Sequence, residues 1–197
     1  MLDLVRGLPA LELDAKGYLS DFWEYHERTD GAFWKLERRQ SFREPDEPSW
    51  VAMSTGDWDR ALALIEEQRA NATVSGRESH RLRIVEQPIS PYLQWELHVL
   101  QGRAEAGVQD VRVLDAGEVS HLEPDHPLPE LVFLGMTVMY EVLYDREGMH
   151  SGGRRHDDPD LIRACHRQLV ALHGAAERLP TYFAREIAPL PAPAGQA

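Results

Sequence analysis

The chain has 197 residues, 43% apolar and 27% charged, the balance of one globular domain with or without a helical extension. Its net charge of -12 opposes the cationic contacts that release counterions from phosphates, so direct binding to nucleic acid or to an anionic membrane is not expected. A single cysteine, Cys165, excludes an internal disulfide and fits a reducing cytoplasm. The opening Met1-Leu-Asp-Leu-Val-Arg6 has no charged-then-apolar signal pattern, and no apolar run approaches the ~18 residues of a membrane span.

Residues 17–29 read as a helix, with Leu19, Phe22, Trp23 and His26 toward one face. The segment Phe33 to Phe42 is ambiguous in period and is read as a strand, ended by Pro45 and Pro48. After Gly56-Asp57 a helix carries Trp58, Ala61, Leu62 and Ile65 at helical spacing. Residues 70–79 read as a linker. Arg81 to Glu86 alternates as a strand, and Ser90-Pro91 then opens a helix with a capping hydroxyl and a first-turn proline. That helix buries Leu93, Leu97, Leu100 and Ala104 and ends at Gly107. Asp110–Leu114 is the next strand, so strand, helix and strand make a βαβ unit with parallel strands. Leu131–Leu134 and Thr137–Tyr144 form a hairpin about Gly135-Met136. A glycine-rich loop over 145–157 leads to a helix over 159–173 capped by Asp158, interrupted at Gly174 and followed by a helix holding Tyr182 and Phe183.

These elements predict an α/β fold: a mixed sheet built on a βαβ unit plus a hairpin, flanked by helices, with a mainly helical N-terminal extension. The expected divisions are a helical region over 1–75 packed on the core, an α/β core over 80–185, and a disordered Pro-rich tail over 186–197. The five tryptophans fall in predicted elements and are expected in the core.

No Gly-x-Ser-x-Gly elbow, phosphate-binding Gly-x4-Gly-Lys-Ser/Thr loop or Gly-x-Gly-x-x-Gly fingerprint occurs, so no cofactor is implied. His150 and His156, before Asp157 and Asp158, match no closed zinc spacing, and no metal site is expected. Cys165 reads as a small core residue. On the two strands of the βαβ unit, Arg81 and Arg83 alternate with Leu82 and Ile84, and Arg112 stands between Val111 and Val113. If the apolar sides share one core, the three arginines project together, where their forks would bind a phosphate or carboxylate. Pairing with Glu86, Glu96 or Glu141, or simple solvation, are the structural alternatives. Tyr92 and Glu96 lie beside this face, and Tyr92 and Trp95 are a candidate ligand wall.

The stretches Phe33-Trp-Lys-Leu-Glu37-Arg-Arg-Gln-Ser-Phe42-Arg-Glu-Pro, Gly56-Asp-Trp, Arg81-Leu-Arg-Ile-Val-Glu-Gln-Pro-Ile-Ser-Pro-Tyr92-Leu-Gln-Trp-Glu96, Val108–Leu114 and Met139–Asp145 resemble an actinobacterial domain-of-unknown-function family, over roughly residues 30 to 185. The resemblance implies a regulatory setting, because members sit beside or are fused to helix-turn-helix regulators. A fold-level likeness to phospholipase-D-like sensor domains implies a related architecture. The His-x-Lys of that chemistry is missing, since Lys16 and Lys35 follow Asp14 and Phe33 at that spacing.

The function expected is a non-catalytic regulatory or interaction module. It would bind a small anionic ligand, or a helix-turn-helix regulator or other basic protein, over Arg81, Arg83 and Arg112 with Tyr92 and Glu96. A small hydrolase or transferase with Glu96 or Glu141 as general base is the first alternative, and an antidote-like half of a protein pair the second.

Overall fold

The structure, a computed structural model, describes residues 1–74 and 76–193. In chain order its elements are β1 (Leu11–Asp14), α1 (Ala15–Arg28), β2 (Phe33–Glu37), α2 (Pro48–Ser54), α3 (Trp58–Ala70), β3 (Ser79–Val85), α4 (Pro91–Glu105), β4 (Asp110–Asp115), α5 (Ala116–Val119), β5 (Leu131–Leu134), β6 (Val138–Tyr144), β7 (His150–His156), α6 (Pro159–Ala175), β8 (Glu177–Arg178) and α7 (Leu179–Tyr182). The strands form one eight-stranded sheet in the order β1-β7-β6-β5-β2-β3-β4-β8. β2, β3 and β4 run parallel, and every other pairing is antiparallel.

The mixed α/β architecture, the β3–α4–β4 unit and the β5–β6 hairpin are as the sequence predicts. Ser90 caps α4, its hydroxyl accepting from the Leu93 N–H, and Gly107 supplies the left-handed turn that ends it, at φ +69°. The N-terminal part is more than helical. β1 and β2 belong to the sheet, and β2–α2–α3–β3 is a second crossover between parallel strands.

Alternation along the strands sorts the core into two faces. Trp34, Leu36, Leu82, Ile84, Leu131, Phe133 and Met139 meet Ile162, Cys165 and Leu169 of α6. On the other face Val111 and Val113 meet Leu93, Leu97 and Leu100 of α4. There α2 and α3 join α4 through Trp50, Met53, Ala61, Ile65 and Trp95, and Tyr18 of α1 covers Val132, Leu134 and Tyr140.

Four local expectations change. The glycine-rich 145–157 segment holds a strand, β7, wedged between β1 and β6. Glycine there answers to crowding: a Cβ on Gly153 would stand 2.5 Å from the Tyr18 ring, and Gly152, at φ +145°, would drive one into the Leu13 carbonyl. Gly174 does not interrupt α6, which runs to Ala175. Trp23 lies on the outer side of α1 and is 54% exposed, unlike the buried Trp34, Trp50 and Trp95. Beyond α7 the turn Phe183–Ile187 buries Ile187, and the Gln94 side chain donates to the Pro191 carbonyl at 2.9 Å. The Pro-rich tail expected from 186 therefore starts against the core, and its end, 194–197, lies outside the described residues.

Candidate functional site

The parallel register separates the three arginines. Arg81 pairs with Val111 and Arg83 with Val113, while Arg112 pairs with Leu82. Cross-strand partners share a face, so Arg81 and Arg83 point toward α4 and Arg112 toward α6. The expectation of one arginine face is corrected here, because it assumed that Val111 and Val113 line the same core layer as Leu82 and Ile84.

Arg81 and Arg83 are buried in a charged network. Arg81 donates to Glu37 Oε2 at 2.5 Å and to Gln109 Oε1 at 2.9 Å. Arg83, 0% exposed, donates to Glu96 Oε2 at 2.7 Å and to the Ile84 carbonyl at 3.1 Å. Lys35 pairs with Glu37 at 2.5 Å. Tyr92, also buried, has its single O–H within reach of Glu44 at 3.2 Å and of Glu96 at 3.5 Å. Burial opposes the charge on Glu37, yet Arg81, Lys35 and Arg83 together hold its carboxyl well below the usual range. Glu96 is pushed up by burial and by the charge of Glu37, against the pull of Arg83. Both remaining candidates for a general base are paired, Glu96 with Arg83 and Glu141 with Arg154 at 2.8 Å and Arg6 at 3.4 Å.

A cleft of about 770 Å³ opens instead at the carboxyl ends of β2 and β3. Ligands of open α/β sheets bind in such crevices because the loops leaving parallel strands splay apart there. Its walls are Arg38, Arg39 and Gln40 just after β2, Glu86 just after β3, Leu128 and Glu130 just before β5, and Glu141, Tyr144 and Arg154 from β6 and β7. Arg38 is held by Glu123 and Glu86, each at 2.7 Å, and Arg154 by Glu12 and Glu141, each at 2.8 Å. Among the described residues the half-buried Arg39 guanidinium bonds only carbonyl oxygens, those of Ser41 at 2.8 Å and Arg146 at 3.5 Å.

Glu130 organises this cleft. Its Oε1 accepts the backbone N–H groups of Arg38 and Arg39, at 2.9 and 2.5 Å, and so ties the exit of β2 to the entrance of β5. Its Oε2 is buried and has no hydrogen-bond partner among the described residues. Burial first, then the charge of Glu37, push this carboxyl up to about 7, although Arg83 and the two N–H donors pull the other way. A carboxyl with this midpoint divides between donor and acceptor forms near neutral pH. Sequence reasoning passed over Glu130. The available signal was an acid at the threshold of Leu131–Leu134, a strand buried at every position.

The imidazoles of His150 and His156 join no group of three converging side chains among the described residues. Such a group occurs at His80, Asp110 and His173.

A family model described as a domain of unknown function (DUF6879) matches residues 20–184, and the chain belongs to that family. No curated protein matches it. Among solved structures the chain is similar to TrmBL2, an archaeal chromatin protein whose structure shows a mode of DNA binding, at 12% identity and a TM-score of 0.45, over 83% of this chain and 50% of that one. It is also similar to phosphatidylserine synthase from Haemophilus influenzae Rd KW20, at 14% identity and a TM-score of 0.40, over 88% of this chain and 44% of that one. The chain spans about half the length of either protein. Likenesses at this level assign it neither activity nor partner.

Proposed function

We propose that this member of the DUF6879 family is a ligand-binding regulatory module that takes a small anionic molecule into the cleft over Glu130. The observation that carries the reading is the buried Glu130 Oε2, midpoint about 7 and without a hydrogen-bond partner among the described residues, in a cleft that Arg39 also lines. Protonated and turned into the cleft, Glu130 offers an O–H to a ligand oxygen, while Arg39 supplies a fork that pairs with no carboxylate among the described residues. Arg81, Arg83, Tyr92 and Glu96 serve as the buried support beneath this end of the sheet. The expected regulatory setting, with a helix-turn-helix protein or other basic partner, suits a net charge of -12 and a module that reports occupancy to another protein.

A second reading has one observation in its favour: a carboxyl poised near neutrality can relay protons, so Glu130, rather than Glu96 or Glu141, is the candidate general acid–base of a small hydrolase or transferase. Thermal denaturation with sulfate, inorganic phosphate, nucleotides and small dicarboxylates tests the binding reading, since a ligand bound to the folded state alone raises its melting temperature. The expected result is stabilisation by at least one anion that is lost in Arg39→Ala and altered in pH dependence in Glu130→Gln. No stabilisation, or stabilisation indifferent to both variants, would overturn it. Turnover of a bound ester or phosphoester that disappears in Glu130→Gln would favour the enzymatic reading.

A further inference from the structure

We infer that His80, Asp110 and His173 form a binding site for one divalent transition-metal ion, at the opposite end of the parallel strands from the Glu130 cleft. The residues come from three elements: His80 and Asp110, register partners, from the amino ends of the adjacent strands β3 and β4, and His173 from the last turn of α6. Each offers one ligand atom, and the three atoms lie within 4.8 Å of one another. His80 Nδ1 and His173 Nε2 each stand 3.8 Å from Asp110 Oδ2. Around an ion with bonds of about 2.1 Å, tetrahedral ligand atoms are about 3.4 Å apart, so the two 3.8 Å gaps must close by roughly 0.4 Å and the gap between the two rings, at most 4.8 Å, by up to about 1.4 Å.

The surroundings prepare the two rings as ligands. Trp34 stacks on His80 at 4.1 Å between centroids and meets His173 edge-on at 5.1 Å, which limits their rotation. His80 Nδ1 is buried with no hydrogen-bond partner among the described residues. On its other side Nε2 lies 3.6 Å from Glu78 Oε2. Asp110, 40% exposed in its side chain, leaves the site open to solvent.

Two groups compete with an ion. Arg112 Nε stands 3.8 Å from the same Asp110 oxygen, and His173 Nε2 lies 3.4 Å from the Asp110 carbonyl. The Arg112 side chain is 27% exposed, and its Nε makes no hydrogen bond among the described residues that would hold it there. Two imidazoles and one carboxylate select zinc, cobalt, nickel or iron over magnesium and calcium, which prefer all-oxygen shells. Three protein ligands leave positions for water, and the bound ion would clasp β3, β4 and α6 together.

The test uses the full chain stripped with a chelator. Zinc chloride is titrated by calorimetry and cobalt(II) chloride by tryptophan fluorescence. The expected result is one equivalent of zinc, weakened about tenfold or more in His80→Ala and Asp110→Asn and unchanged in the control His121→Ala. Cobalt should quench Trp34 in wild type and in His121→Ala but not in His80→Ala. Asp110→Asn changes one exposed atom and guards against loss of fold in the histidine variant. Absence of zinc binding, or binding that both His80→Ala and Asp110→Asn leave unchanged, overturns the site and leaves the Glu130 reading untouched.

Discussion

Replacing Glu130 with glutamine should stabilise the protein at alkaline pH and do nothing in acid. The glutamine keeps an oxygen for the Arg38 and Arg39 N–H groups and removes only the ionisation. In the folded chain the carboxyl rises from its ordinary 4.5 to about 7. The folded state therefore binds more protons than the unfolded state between those values, and the stability this gives is full below 4.5 and is lost as pH rises through about 7. At about 1.4 kcal/mol for each tenfold change in proton affinity, ionising Glu130 costs the fold roughly 3 kcal/mol. Glutamine escapes that cost. Urea denaturation of wild type and variant should give nearly equal stabilities at about pH 4 and a gap that widens to roughly 3 kcal/mol in favour of glutamine near pH 8. A gap that does not change with pH, or a variant weaker than wild type in alkali, would refute the burial argument for this carboxyl.

Removing one partner of the buried Arg83–Glu96 pair by Arg83→Met should cost about 3–5 kcal/mol in denaturant titrations, and Arg83→Met with Glu96→Leu should recover most of it. Gly153→Ala must push Tyr18 and α1 off the sheet, a loss of about 1–3 kcal/mol visible as a lower melting temperature. Asp158→Ala, which strips α6 of a cap on the Asp160 and Leu161 N–H groups, should lose about 1 kcal/mol by the same measure. Burial pushes the Cys165 thiol up to about 11, so a thiol reagent near neutral pH should modify it only after unfolding.

The fold was legible wherever local chemistry was strong. Ser90-Pro91, Gly107 and Asp158 mark helix ends through backbone groups that need partners whatever the tertiary context. β7 was not legible, because its Gly152 and Gly153 are there to admit Leu13 and Tyr18 from remote parts of the chain. The arginines show the same division. Alternation correctly put Arg81 and Arg83 opposite Leu82 and Ile84. Nothing local tells which core layer Val111 and Val113 join, and that choice sends Arg112 to the other face. Glu130 and the His80, Asp110 and His173 group depend on strand order, which brings positions far apart in the chain together at opposite ends of the parallel strands.

A cleft organised by Glu130 is tested most directly by following the side-chain carboxyl carbon of Glu130 through a pH titration by NMR, with and without sulfate. The midpoint should lie at about 7 in the free protein and move higher with sulfate, because a bound anion disfavours the carboxylate. A midpoint at the ordinary 4.5, unmoved by sulfate, would contradict both the protonated carboxyl and the anion site built on it.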